Sequence, residues 1–413
     1  EGIRERSSEL VVLTAKTEEA LNAAAGKLRE HLEGHPEQKL GEVAYSLVTT
    51  RSQMEHRLSV VASSVEELKH ALRSASVGET PRGATRARGR QTGKLGWLFT
   101  GQGAQRAGMG RELYAQWAVF REALDEVCRQ LDPMLERPLK SVMWAQAGSK
   151  EEALLDQTGY TQPALFAYEW ALAQLWKSWG VEPEVVQGHS IGEITAACVA
   201  GVMTLREASK LVSARSRLMQ ALPAGGAMVS IGASEDEVAR EVSARAERVS
   251  VAAVNGPTSV VIAGVEKDVE EIAEGFAKRG VTTKRLKVSH AFHSPLMEGM
   301  LGEFRRAAES IKFGEAKLPL ISNVSGKLSR GEVSTAEYWV RHVREAVRFG
   351  EGVSSMHALG VRSYLELGPR ATLLGLVARN PRAAERKQVG QLLGLWDTRL
   401  LCAIAGGGAR RFS

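Results

Sequence analysis

Apolar and polar residues alternate over Glu9–Ala15 (ELVVLTA), the two-residue period of a strand with one buried face. Thr17 then stands where a helix cap belongs, and Leu21, Ala24, Ala25, Leu28 and Leu32 follow at helical spacing. The same reading predicts a short helix over Leu40–Thr50, a strand over Arg57–Ser63 and a helix over Val65–Ala75, so residues 1–80 form a small α/β domain. There the periodicity stops. The stretch 79–94 (ETPRGATRARGRQTGK) is rich in Gly, Thr and Arg, and its residues 81–94 read as a basic linker.

A larger body follows over 95–225 and 289–380. Its apolar runs Gly96–Thr100 and Glu184–Gln187 each enter a glycine-bearing turn and then a helical pattern, and further strands are expected over Leu318–Ser322 and Val361–Leu367. Strand, tight turn and helix in that order predict a hydrolase-like parallel-sheet core of the α/β class, with ligands at the carboxyl ends of the strands. Residues 226–288 are patterned differently. A strand (GAMVSIGA), a helix (Glu235–Ala246), two strands around Asn255-Gly256-Pro257, a helix (Lys267–Arg279) and a strand (Thr282–Val288) give β-α-β-β-α-β, a ferredoxin-like subdomain inserted into the body. Residues 381–413 are left as a C-terminal tail.

Composition changes this picture little. At 413 residues, 44% apolar and 25% charged, the chain matches a globular protein of several domains. Its +6 charge and pI of 9.2 come from two segments. Residues 82–94 carry five bases and no acid, and residues 379–413 carry seven bases against Glu385 and Asp397, which leaves the rest at about −4. A folded body of that sign is not built for nucleic acid. Cys128, Cys198 and Cys402 are far apart, which argues against a disulfide framework or a metal site and for a reducing, cytoplasmic setting. The most apolar segment, Ile194–Leu205, is too short and mixed to span a bilayer, so no membrane role is expected. The start at Glu1, without Met or a leader, reads as a piece of a longer polypeptide.

Chemistry concentrates in a few places. Gly188-His189-Ser190-Ile191-Gly192 is a G-x-S-x-G, a pattern expected by chance roughly 0.3 times in such a chain, but here it lies between an apolar strand and a helical pattern. That context allows a sharp turn that exposes the Ser190 oxygen and aims the Ile191 N–H at a developing oxyanion. Such a serine needs a base. His189 is adjacent and would point away, whereas His290 and His293 occupy a loop, Ser289 to Pro295, where a strand ends. Gly101-Gln102-Gly103-Ala104-Gln105 is not a dinucleotide fingerprint, because Arg106 stands where a third glycine is required. It could supply a second oxyanion N–H. Arg215 lies on a helical stretch, Ala208–Leu222, among other bases.

Taken together, TGQGAQ, GHSIGE, HAFHSP, NVSGKL and LELGP, in this order and spacing, resemble the acyltransferase domains of modular polyketide synthases, which group with malonyl-CoA:acyl carrier protein transacylases. The resemblance covers 95 to about 380, and the first 80 residues resemble the linker that joins a ketosynthase to such a domain.

The resemblance implies Ser190 as nucleophile, His293 as general base, the N–H groups of Gln102 and Ile191 as oxyanion hole, and Arg215 as the holder of a substrate carboxylate. It also implies that His293 is oriented by a backbone carbonyl of the YWVRHVRE segment, that of His342. Phe292 and His290 in HAFH, Ile191 after the nucleophile and Gln162 in GYTQP imply a pocket for malonyl rather than methylmalonyl. The expected substrate is malonyl-CoA, the expected partners are the phosphopantetheine thiol of an acyl carrier protein and the ketosynthase domain of the same synthase, and no bound cofactor is expected. Two rival readings are a G-x-S-x-G hydrolase, which would want a carboxylate behind its histidine, and a docking module with relic motifs.

Overall fold

The structure is a computed structural model that describes residues 8–88 and 93–380. It divides into two compact units that part at Thr92/Gly93.

The first unit is a three-stranded antiparallel sheet, β1 (Glu9–Ala15), β2 (His56–Ala62) and β3 (Ala84–Arg88), in that spatial order. Val11 faces Val60 and Leu13 faces Leu58, so the alternating residues of both strands enter one core with Leu21, Leu32, Leu68 and Leu72 of the helices. Those helices start where their caps dictate: Thr17 Oγ1 accepts from Ala20 N at 3.2 Å, and Ser64 Oγ accepts from Glu67 N at 3.1 Å. The expected 81–94 linker is corrected here, because Ala84–Arg88 is a strand paired to β2. An edge strand takes its ladder from the backbone and does not need an apolar face, and basic side chains there discourage further pairing. Arg86 also donates to Ala75 O at 2.6 Å, which ties β3 to the preceding helix.

The second unit contains β4 (Lys94–Phe99), β5 (Val185–Gly188), then β6 (Gly226–Ile231), β7 (Val249–Gly256), β8 (Ser259–Val265) and β9 (Thr283–Arg285), and finally β10 (Leu320–Ile321) and β11 (Val361–Leu367). β10, β5, β4 and β11 form a parallel sheet in that order, with β5 and β4 at its centre. β10 is shorter than the expected Leu318–Ser322, since Pro319 has no N–H for the ladder. β6 to β9, with helices Glu235–Ser243 and Glu266–Lys278, form an antiparallel sheet in the order β7-β8-β6-β9, as a ferredoxin-like unit requires. Its core is Val229, Ile231, Val260, Ile262 and Phe276.

The helix Thr158–Ser178 is buried along almost its whole length. At its middle, Glu169 accepts from Thr100 Oγ1 (2.5 Å) at the end of β4 and from Thr195 Oγ1 (2.9 Å) on the helix Gly192–Val199, joining three elements below the ends of β4 and β5.

Candidate active site

β5 ends at Gly188, and the helix Gly192–Val199 starts four residues later. The intervening turn forces Ser190 to φ +52°, a left-handed conformation that L-residues seldom adopt. The flanking glycines are fixed by close approach. A Cβ on Gly188 would collide with the Glu193 backbone, and one on Gly192 with the Phe99 and Thr100 carbonyls. His189 N donates to Phe99 O at 2.9 Å, so the turn lies directly on the end of β4. The His189 ring, 2.9 Å from Asn255 Oδ1, serves the inserted subdomain.

Ser190 Oγ meets His293 Nε2 at 2.8 Å and the Arg215 guanidinium at 3.0 Å. His293 Nδ1 lies 2.8 Å from the Glu345 carbonyl, which can only accept. Nδ1 therefore carries the hydrogen, and Nε2 is free to take the serine proton. The orienting carbonyl is thus that of Glu345 and not that of His342. Glu345 caps the helix Ala336–Arg344 in extended conformation, so its carbonyl lies outside the helical ladder. The His342 side chain is turned instead to Glu193, with Nε2 3.0 Å from Oε2. His293 itself has φ +56°, and its carbonyl accepts from Ser250 Oγ at 2.7 Å.

Burial, then the positive charge of Arg215, hold His293 well below the usual imidazole pKa of 6.5. Arg215 is 1% exposed. Burial lowers its pKa to about 9, which leaves it charged at neutral pH. It donates to Gln162 Oε1 at 2.7 Å and to Ser190 Oγ, its Nε has no partner, and no carboxylate pairs with it among the described residues. A buried cation without a counter-ion is costly unless an anion joins it.

Asn323 is a further part of the site. Its Oδ1 accepts from Ser190 N at 2.8 Å, and its Nδ2 donates to Gly188 O at 2.8 Å, bracing the strained turn. Asn323 N donates to Glu193, which also accepts from Tyr338 OH; burial pushes the Glu193 carboxyl up to about 8. The Ser190 N–H is thereby engaged. Among the described residues, the N–H groups of Ile191 and Gln102 have no intramolecular acceptor. Asn323 begins the NVSGKL stretch, so its position was visible in the sequence and its partners were not.

The remaining candidates lie further out. Gln102 donates its side-chain amide to Thr158 Oγ1 at 3.1 Å. His290 bonds to Ser289 and to Leu222 O, with no bond to Ser190 or His293, and Phe292 is buried with its ring 6.2 Å from that of His290. Cys128 and Cys198 are buried, with thiol pKa values raised by desolvation, and Cys402 lies outside the described residues. Among the described residues no cluster of three or more His, Cys, Asp or Glu is placed to hold a metal, and no helix is long and apolar enough to cross a membrane.

Comparison with known proteins shows the family. The family model for the acyl transferase domain matches residues 96–400, and that for the CurL-like polyketide synthase C-terminal region matches 9–72. Polyketide synthase GfsA of Streptomyces halstedii is 49% identical over 369 residues, which is 88% of this chain and 5% of that protein. The chain therefore spans a small part of that relative. The crystal structure of the acyltransferase domain from the second module of the salinomycin polyketide synthase is 47% identical, with a TM-score of 0.72 over 89% of this chain and 85% of that one. The malonyl-CoA:acyl carrier protein transacylase FabD of Xanthomonas oryzae pv. oryzae is 29% identical, with a TM-score of 0.65 over 71% and 93%.

Proposed function

The chain belongs to the acyl transferase domain family, as the acyltransferase domain of a modular type I polyketide synthase with its linker domain; from that premise we propose that it transfers malonyl from malonyl-CoA, through malonyl-Ser190, to the phosphopantetheine thiol of an acyl carrier protein. One observation carries the substrate class. Beside the nucleophile sits a buried, charged Arg215 with no carboxylate partner among the described residues and with its Nε unpartnered. Its planar fork suits a free carboxylate, and a neutral acyl group would leave the charge unpaired.

The reaction runs in two balanced steps. His293 Nε2 takes the Ser190 proton as the oxygen adds to the thioester carbonyl. The N–H groups of Ile191 and Gln102 hold the oxyanion, the C–S bond breaks, and the imidazolium returns the proton to the CoA sulfur. The carrier thiol then gives its proton to His293 and adds to the same carbonyl, and Ser190 leaves with the proton back on its oxygen. Glu345 O keeps the histidine in the one tautomer that serves both steps.

Phe292 and Ile191 are both buried, and their bulk supports malonyl over methylmalonyl. A single methyl group is worth about 1 to 3 kcal/mol in such a pocket, so selectivity of roughly 10- to 200-fold is the expected scale.

The test is release of CoA from malonyl-CoA in the absence of carrier protein. A burst that stops at one equivalent per chain, and resumes when carrier protein is added, is the expected result. Continuous release without carrier protein would make the chain a hydrolase.

A further inference from the structure

Four side chains outside the serine–histidine pair form one unbroken line of hydrogen bonds, and its ends fix its direction. Leu222 O can only accept, so His290 Nε2, 3.1 Å away, carries a hydrogen, and in the neutral ring Nδ1 is an acceptor. Ser289 Oγ, 3.1 Å from Nδ1, donates to it and accepts from Thr158 Oγ1 at 2.7 Å. Thr158 Oγ1 accepts in turn from the Gln102 amide nitrogen at 3.1 Å, which can only donate. With the amide turned over, the two hydroxyls would lack one hydrogen for the three bonds between them.

The line joins the loop after β4 to the start of the helix Thr158–Ser178 and on to the histidine loop at 289–293. A second bond, Gln105 Nε2 to Asp156 Oδ1 at 2.9 Å, ties the same loop to the turn before that helix. The loop is packed on one side of Gln102, where a Cβ on Gly101 would meet the His189 carbonyl at 2.9 Å, and open on the other. Gly101 and Gly103 flank Gln102, and Gly103 is at φ +107° with nothing within 4 Å of where a Cβ would stand. Gly103 N donates to Gln105 Oε1 at 2.7 Å, which with the Gln105–Asp156 bond holds the far side of the loop; at Gln102 itself the tie is the side chain, and Thr158, which receives it, is fully buried.

We propose that Thr158 and Ser289 are positioning residues that tie the oxyanion loop to the histidine loop, so that the segments bordering the acyl pocket also set the direction of the Gln102 N–H. The inference rests on the reading of Gln102 as an oxyanion donor. It makes pocket segments and turnover interdependent: a change at His290 or Ser289 is felt at Gln102 through the line, without contact between them.

Thr158→Val keeps the side-chain shape and removes the hydroxyl, and Thr158→Ser is the conservative control. The acylation rate constant is measured by rapid quench with malonyl-CoA and with acetyl-CoA. Deleting an oxyanion donor costs about 10²- to 10³-fold, so loosening one is expected to cost ~10-fold or more, equally for both thioesters and with little change in KM. Thr158→Ser should recover most of the rate, and Thr158→Val combined with His290→Phe should lose less than the product of the single losses. An unchanged rate in folded Thr158→Val overturns the proposal. So does a loss in KM alone or for malonyl alone, which would make Thr158 a pocket residue, and so does a loss that Ser does not recover, which would mark packing. Absence of any acyl adduct on the unmodified protein defeats the acyl-transfer reading itself, and this proposal with it.

Discussion

His293 is kept neutral by its surroundings, and this sets the pH behaviour of the site. Burial and the Arg215 charge both disfavour the imidazolium, so the acid limb of the acylation rate is expected below pH 6.5, the ordinary imidazole value. Arg215→Ala removes one of those causes and should move the limb upward, toward that value. The same variant should weaken malonyl transfer by more than the ~1.5 to 3 kcal/mol of one charge-assisted hydrogen bond, while acetyl transfer is spared or improved. A pH profile with both thioesters checks both effects, and parallel losses would make Arg215 structural. His293→Ala should slow acylation by about 10²- to 10⁴-fold, and His290→Ala by much less. Equal losses in a rapid-quench assay would reverse the assignment of the base. Ser190 was legible from its G-x-S-x-G between a strand and a helical pattern, whereas the choice of His293 over His290, and of Arg215 among its basic neighbours, came from the resemblance of the stretches around them. The Glu345 carbonyl was not legible, since every residue has a carbonyl and the one that reaches the histidine depends on where a helix ends.

The elements around the serine are locked together by contacts that leave no room for a side chain. Gly192→Ala would drive a methyl group into the Phe99 and Thr100 carbonyls. It is expected to destabilise the chain and abolish the acyl adduct, as read by thermal melting and intact mass; a folded, fully acylated variant would contradict the tight turn. Glu169 gives a second prediction on this scale. Burial raises its pKa from 4.5 to about 8, so the folded state holds its proton more tightly than the unfolded state does. Its contribution to stability is complete below pH 4.5 and is lost as the pH rises toward 8. Glu169→Gln should flatten that part of the profile in urea denaturation, and an unchanged slope would show that the carboxyl is already ionised. The turn itself was readable, because its glycines lie between an apolar run and a helical pattern. So was the inserted subdomain, whose six elements follow in order. β3 escaped notice because edge pairing is made by the backbone, and Arg86 and Arg88 look like linker residues.

For the whole molecule, composition and charge narrowed the class and went no further, because the basic excess sits in two segments of the chain. It was the order of five motifs over nearly 300 residues that carried the function, and the structure adds the reason for that order: TGQGAQ, GHSIGE and HAFH meet at the carboxyl ends of β4 and β5. The central claim is that Ser190 takes up malonyl in preference to other acyl groups. Its most direct test is intact-mass analysis of the protein and of Ser190→Ala after mixing with equimolar malonyl-CoA, methylmalonyl-CoA and acetyl-CoA. A single adduct of malonyl mass on the protein, absent from the variant, is the predicted result; an adduct dominated by the methylmalonyl or acetyl mass, or one retained on Ser190→Ala, would contradict it.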